Sequence, residues 1–399
     1  MKVGIVGCGV GGMAAALALA RRGHEVTLLE AFDAPRPLGS GLLLQPTGLK
    51  ALGALGLETM IRERGARVDR LDGRDLAGRK VLDVDYADWR AGGHGIGIHR
   101  GVLFDTLYGA LTPAGVVLRT GARIVGLHEP HRPLLEDDKG RAHGPFDLVV
   151  VADGSASALR PLVRPRSRAR PYPWGAVWAN APDPGGQWSG ALRQVYDRAE
   201  VMIGVLPVGR GPNGETEPQV SLFWSLPVSD MDAFEAGDFE AWKARVRTLW
   251  PAVASLLETL PGPRAMARAV YRDVWVGRWS RDATLLIGDA AHGTSPQLGQ
   301  GANLALVDAV ELGEHFGVAG LSVPRAAAVY ESSRRWHVMI YQFVSWAMTP
   351  LFQSHGGFWA GVRRWLFTPL SRAPGIRQLG AAILTGTARL GRWPDATRP

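Results

Sequence analysis

The chain has one cysteine, Cys8, in 399 residues. That excludes an intrachain disulfide and an all-cysteine metal site, fits a reducing compartment, and makes a cytoplasmic location the expectation. No uninterrupted apolar run reaches the roughly 18 residues of a membrane-spanning helix. No basic leader opens the chain, and cleavage near Ala14–Ala16 would cut away a glycine loop, so no signal peptide is expected. Internal repeats and low-complexity tracts are also absent. Acid is scarce from Arg325 onward, where ten arginines meet only Glu331 and Asp395 and account for the whole net charge of +8. No nucleic-acid recognition motif accompanies those arginines, and no nucleic-acid partner is expected.

What remains is ample for a folded body. With 46% hydrophobic residues the chain can bury one large core or two moderate ones, and its glycines and prolines are spread too evenly for a disordered tract. Lys2–Val6 reads as an apolar strand, followed by Gly7-Cys8-Gly9-Val10-Gly11-Gly12 and an Ala/Leu-rich helix that Gly23 ends. A second strand, Glu25–Leu29, closes at Glu30. Strand, glycine turn, helix and strand with a terminal acid form the dinucleotide fingerprint in its required setting. Gly7 allows the tight turn, Gly9 admits a pyrophosphate, Gly12 lets helix and strand pack, and Glu30 is placed to accept from a ribose. Cys8 is expected to be a small turn residue, not a nucleophile.

A second glycine-rich element spans Asp282–Phe316: a short strand, Thr284–Ile287, a loop of small residues from Gly288 to Gly301, then a helix. Such a loop lets backbone approach a flat ligand. The helix is expected to start near Ala302 and Asn303, its free N–H groups and positive dipole end facing the loop's occupant.

At these residues the chain resembles the group A flavoprotein monooxygenases, the p-hydroxybenzoate hydroxylase-like family. The resemblance covers nearly the whole chain. It implies an α/β fold, with a Rossmann-like FAD-binding domain of the GR2 type, an inserted and mostly antiparallel β-sheet for substrate, and a C-terminal helical region. The expected division is 1–67, 100–163 and 272–335 for the cofactor, 68–99 and 164–271 for substrate, and 336–399 for the helices. Gly288-Asp289 matches the family's GD motif, which puts Asp289 on the ribityl chain of non-covalent FAD. Pro296 and the run Gly299-Gln300-Gly301-Ala302-Asn303 would lie along the isoalloxazine ring, with the N–H groups of Ala302 and Asn303 facing its anionic edge. Arg36 and Arg100 match arginines that approach the cofactor; a loop arginine and an ordinary first-turn arginine are the alternatives. Asp153-Gly154 resembles the DG motif near the pyrophosphate, or a plain turn.

The resemblance also implies the reaction. NADH or NADPH reduces the flavin, O2 adds to give a C4a-hydroperoxide, and one oxygen atom passes to an aromatic or other electron-rich small molecule. No general base is assigned; His292 and Pro296 are the candidates near the ring, and a structural histidine serves equally well. Trp178, Tyr196, Trp224 and Trp275 are candidates for the substrate pocket, with ordinary core the alternative for each. No metal site is expected. The Trp-x-Trp signature of flavin halogenases is missing, whereas a reductase or dehydrogenase on the same scaffold stays open, as does a redox-inactive flavin-binding interaction module. From Val323 the chain is expected to be helical with breaks at Pro350, Pro369 and Pro374. The aromatics Trp336, Trp346, Phe352, Phe358, Trp359, Trp365 and Phe367 are expected to pack on the body with arginines at their edge, peripheral membrane contact being the alternative. Oligomeric state is not readable.

Overall fold

A six-stranded sheet forms around the N-terminal strand. Its order is Ser280–Arg281, Thr284–Leu286, Leu148–Val151, Lys2–Val6, Glu25–Leu29 and Val117–Arg119, parallel except for the first pair. The two central strands are apolar and buried, Lys2 at the exposed start excepted, because both faces are covered. The computed structural model describes residues 1–388 except Leu38, Asn213, Ala319 and Arg372. Arg372, Arg389, Arg392, Asp395, Arg398 and the side chain of Phe367 therefore lie outside the described residues.

Seven helices matter below. They are α1 (Val10–Ala20), α2 (Pro46–Ala54), α3 (Arg100–Leu111), α4 (Phe239–Leu249), α5 (Gly301–Phe316), α6 (Val323–Phe352) and α7 (Pro374–Leu384). Helix α1 is nearly all alanine, leucine and glycine, and that composition has a cause: α5 passes so close that a Cβ on Gly313 would stand 2.9 Å from Ala18 Cβ. A small-residue seam thus holds the second glycine-rich element beside the first.

The larger sheet has nine strands. Ala267–Trp275, Arg168–Pro182, Gln219–Pro227, Val201–Gly209, Gly190–Asp197, Ala66–Asp75, Gly95–His99 and Gly41–Leu44 follow in order, and Lys80–Asp85 pairs with Ala66–Asp75. All pairs are antiparallel except Gly190–Asp197 with Ala66–Asp75. Gly41–Leu44, which the sequence grouped with the cofactor segments, joins this sheet, so the two halves interlock through the stretch after Glu30. One face of the sheet packs on α4 and its neighbours through Val177, Leu222, Trp224 and Val246.

The C-terminal part is helical from Val323, with the expected break at Pro374, but Pro350 and Pro369 lie inside helices. α6 runs through Pro350 to Phe352, and Pro374 opens α7 at a first-turn position, where its missing N–H removes no helical bond. Pro369 lies within a short helix, Thr368–Ser371. The expected packing of the aromatics holds for Phe352 and fails for most of the rest, since Trp336, Trp346, Phe358 and Trp365 are solvent-exposed.

Candidate active site

The glycine turn is built as its sequence requires. Gly7 has φ +104°, and a Cβ there would lie 2.5 Å from Ala152 O; one on Gly12 would lie 1.9 Å from Gly7 O. A Cβ on Gly9 would meet nothing within 4 Å, because Gly9 faces open space. Glu30 closes the turn: its carboxylate accepts from Cys8 N at 2.8 Å and Phe32 N at 2.9 Å. Burial, then the Glu30 charge, pushes the Cys8 thiol up to about 12, so Cys8 stays a neutral turn residue.

Gly288, at φ +55°, turns the chain out of its strand and presents Asp289 at the surface of a cavity. The loop then passes Pro296 and a left-handed Gly299 into α5, which begins at Gly301. The first intrahelical bond is Leu304 N to Gln300 O at 2.8 Å, and Gln300 provides no side-chain cap. The N–H groups of Gly301, Ala302 and Asn303 therefore point out of the helix end. The Asn303 side chain is fully buried and holds this loop to the other sheet. Its Oδ1 accepts from Gln45 N at 2.8 Å and its Nδ2 donates to Leu43 O at 3.1 Å.

Between these elements lies a cavity of about 940 Å³. One end is walled by Gly9, Glu30, Arg36, Arg100, Gly154 and Asp289, and Pro296, Gly299, Gly301 and Ala302 border it as well. The rest is mostly apolar, with Leu71, Val84, Leu192, Met202, Leu206 and Phe352 among its lining. Two buried side chains of the wall are left incomplete: Gln45 Nε2 and Gln300 Oε1 have no hydrogen-bond partner. Gln45 Oε1 accepts from the Tyr86 hydroxyl, and Gln300 Nε2 donates to Leu384 O at 2.5 Å. Among the described residues no cluster of three or more His, Cys, Asp or Glu could hold a metal.

Residues 1–339 match the family described as FAD binding domain. The chain belongs to that family. Among its curated relatives, the 3-hydroxybenzoate 6-hydroxylase of Polaromonas naphthalenivorans (strain CJ2) is 30% identical over 84% of each chain. A putative 2-heptyl-3-hydroxy-4(1H)-quinolone synthase of Rhodococcus erythropolis is 30% identical over 86% of each. The fold is shared with the crystal structure of Klebsiella pneumoniae HpxO complexed with FAD and uric acid, at TM-score 0.78, 22% identity and 97% coverage of both chains. The protein is thus a group A flavin-dependent monooxygenase and FAD is its cofactor. The site fits that cofactor: the glycine turn leaves open space at Gly9, the α5 N–H groups lack helical partners, and two buried amides have an unmet hydrogen bond each.

In this monooxygenase the residues singled out by sequence divide cleanly by position. Gly9, Glu30, Arg36, Arg100, Gly288, Asp289, Pro296, Gly299, Gly301, Ala302, Trp178 and Tyr196 line the cavity. Gly7 and Gly12 shape the turn behind the wall, and Asn303 braces it. Asp153 sits behind the wall, with only its neighbours Ala152 and Gly154 on the surface; burial pushes its carboxyl up, and its Oδ1 has no partner. Trp224 and Trp275 do not line the cavity. Trp178 pairs across strands with Phe223 and both face inward, whereas Trp224 pairs with Val177 and both face α4, because strand side chains alternate. Trp275 is 42% exposed.

His292 also lies outside the cavity. It is buried, and its Nε2 contacts Asp308 Oδ2 at 2.6 Å; the same carboxylate accepts from Gly288 N at 3.0 Å and Arg334 Nε at 2.8 Å. Burial alone would raise the Asp308 pKa, but the charges and hydrogen bonds of His292 and Arg334 outweigh it and hold the group well below the usual carboxylate range. His292 thus helps fix the GD turn from behind.

Sequence reasoning missed several contributors. Arg160 is buried and donates to Ala290 O at 2.7 Å and Ser155 O at 2.7 Å, tying the DG loop to the GD loop. Gln45 and Gln300 lie inside segments that the sequence placed along the cofactor, but their side chains were given no role. Tyr271 lines the cavity, and burial pushes its hydroxyl up to about 12. α7 contributes Ile376, Leu379 and Ile383, and no motif marks it.

Proposed function

We propose that this monooxygenase takes reducing equivalents from NADH or NADPH and hydroxylates a neutral, largely apolar aromatic compound. The observation that carries the substrate class is the lining of the cavity away from the glycine turn. Leu71, Val81, Leu82, Val84, Leu192, Met202 and Leu206 bring a mostly apolar surface, interrupted by Asp83 and Gln194. The two arginines of that lining outside the cofactor motifs are already engaged: Arg268 with Asp232 and Glu235, and Arg377 with Asp88. A carboxylate placed among these groups would lose hydration without gaining a free cation. Of the two relatives above, the one named for a heptyl-bearing quinolone suits this lining better than the one named for a hydroxybenzoate.

The chemistry that bound FAD brings is two-electron exchange with nicotinamide and the activation of O2. The protein's own groups orient and shield. Glu30 keeps lone pairs for the adenosine ribose hydroxyls beyond the two backbone donors it already serves. Arg36 and Arg100 would neutralise the pyrophosphate, Asp289 would take the ribityl hydroxyls, and the N–H groups of Ala302 and Asn303 would stabilise negative charge on the bound ring. Gln45 Nε2 and Gln300 Oε1 offer one donor and one acceptor at the cavity wall. Tyr271 keeps its proton at neutral pH and serves as a donor, not a base. Apolar walls exclude water from the reacting atoms.

Three measurements test this reading together: arene-stimulated NAD(P)H oxidation, O2 consumption, and product mass. A reductase on this scaffold would oxidise nicotinamide without substrate-dependent O2 uptake. Within a series of hydroxylated arenes, KM is expected to fall about three- to fourfold for each added methylene. Faster turnover of hydroxybenzoates than of their alkyl counterparts would overturn the substrate class and leave the monooxygenase chemistry standing.

A further inference from the structure

The C-terminal helices carry an exposed apolar face. Trp336, Met339, Phe343 and Trp346 fall on one stripe of α6 at spacings of three or four residues, and are 59%, 40%, 60% and 60% exposed. Beyond α6, Phe358 is 73% and Trp365 75% exposed. Contiguous aromatic surface of this kind marks an interaction site.

Charge and position indicate what covers it. From Ser332 to Ala388 the sequence holds six arginines and no aspartate or glutamate. Arg334 and Arg363 turn inward, and Arg335 and Arg377 pair with Glu331 and Asp88. Arg364 is exposed and stacks on Trp365, its guanidinium carbon 4.9 Å from the ring centroid. A twofold contact between copies would set a segment that contributes arginine and no acid of its own against itself, the acids beside it, Glu331 and Asp88, being already paired. A sheet of anionic headgroups complements it, with rings at the acyl boundary and guanidinium at the phosphates. The cavity reaches the surface at the same end of the molecule. Ile376 and Leu379 of α7 line the cavity while 37% and 54% exposed, and Val344 and Met348 line it from α6, the helix whose other side carries Phe343 and Trp346.

We propose that this face docks on an anionic lipid surface, with the cavity mouth between α6 and α7 turned towards the lipid. No helix among the described residues is long and apolar enough to cross a membrane, so the contact is interfacial. It stands independently of the substrate class.

The test is co-sedimentation of FAD-loaded protein with phosphatidylcholine vesicles, with and without phosphatidylglycerol, beside a Phe343→Ser/Trp346→Ser/Trp365→Ser variant. The native chain is expected to bind the anionic vesicles at least about tenfold more tightly than the variant, and less as salt rises. The variant keeps its flavin and its Tm, because all three side chains are solvent-exposed. Native protein left in the supernatant with both vesicles, or equal partition of native chain and variant, overturns the proposal. Equal binding to neutral and anionic vesicles overturns its electrostatic part. A concentration-dependent dimer that the triple change abolishes assigns the face to a second copy instead.

Discussion

The two ends of the cavity are made of different material. At the glycine turn the wall is backbone, held where a Cβ on Gly12 would collide with Gly7 O at 1.9 Å. At the far end it is side chain, from Leu71 to Phe352, and any residue of similar volume could serve. A nucleotide makes the same demand on every protein that binds it, whereas a substrate pocket answers to one molecule. One end therefore tolerates almost no change and the other tolerates much.

The contrast is sharpest under paired substitutions. Gly12→Val is expected to give protein without flavin, destabilised by about 3 kcal/mol or more, while Met202→Leu at the far end costs under about 1.5 kcal/mol; flavin content and Tm measure both. Asp308→Asn leaves Arg334 buried without its counter-charge, and a loss of about 3–5 kcal/mol in denaturant melts is expected. The pH dependence follows from the depressed folded-state pKa. The Asp308 contribution is complete above the unfolded carboxylate value of about 4 and is lost as pH falls below it, so the variant's acid limb should be flatter.

Smaller effects separate cofactor from substrate. Asp289→Ala should weaken FAD binding about tenfold to a hundredfold by equilibrium dialysis, the range for one hydrogen bond to a charged group. Leu192→Ala should raise KM for an alkyl-bearing arene roughly fivefold with flavin content unchanged. Trp275→Ala, outside the cavity, should alter neither by more than about 0.5 kcal/mol.

The same contrast governs what could be read from the residues. The parallel strands, the two glycine-rich elements, and the start of α5 within one residue were legible because φ > 0 and close approach leave a specific mark on sequence. The split between Trp178 and Trp224 was not, although the two lie on adjacent strands. Their facing depends on which pairs with Phe223 and which with Val177, and register is a tertiary property. His292 stood beside the right motif, yet its ring points to Asp308, whose partner Arg334 comes from another helix. The exposed aromatics of α6 were misjudged because a helical stripe looks the same whether it packs on protein or faces outward.

The hydrogen bond from Gln300 to Leu384 O, with that from Thr47 N to Thr385 O, has a bearing on how the protein is made. Early and late stretches of the nascent chain share one wall. The glycine turn can fold while synthesis continues, but the chamber is not shut until the helix beginning at Pro374 has left the ribosome. The wall that Gln300 and Thr47 complete is therefore the last part of the chamber to form.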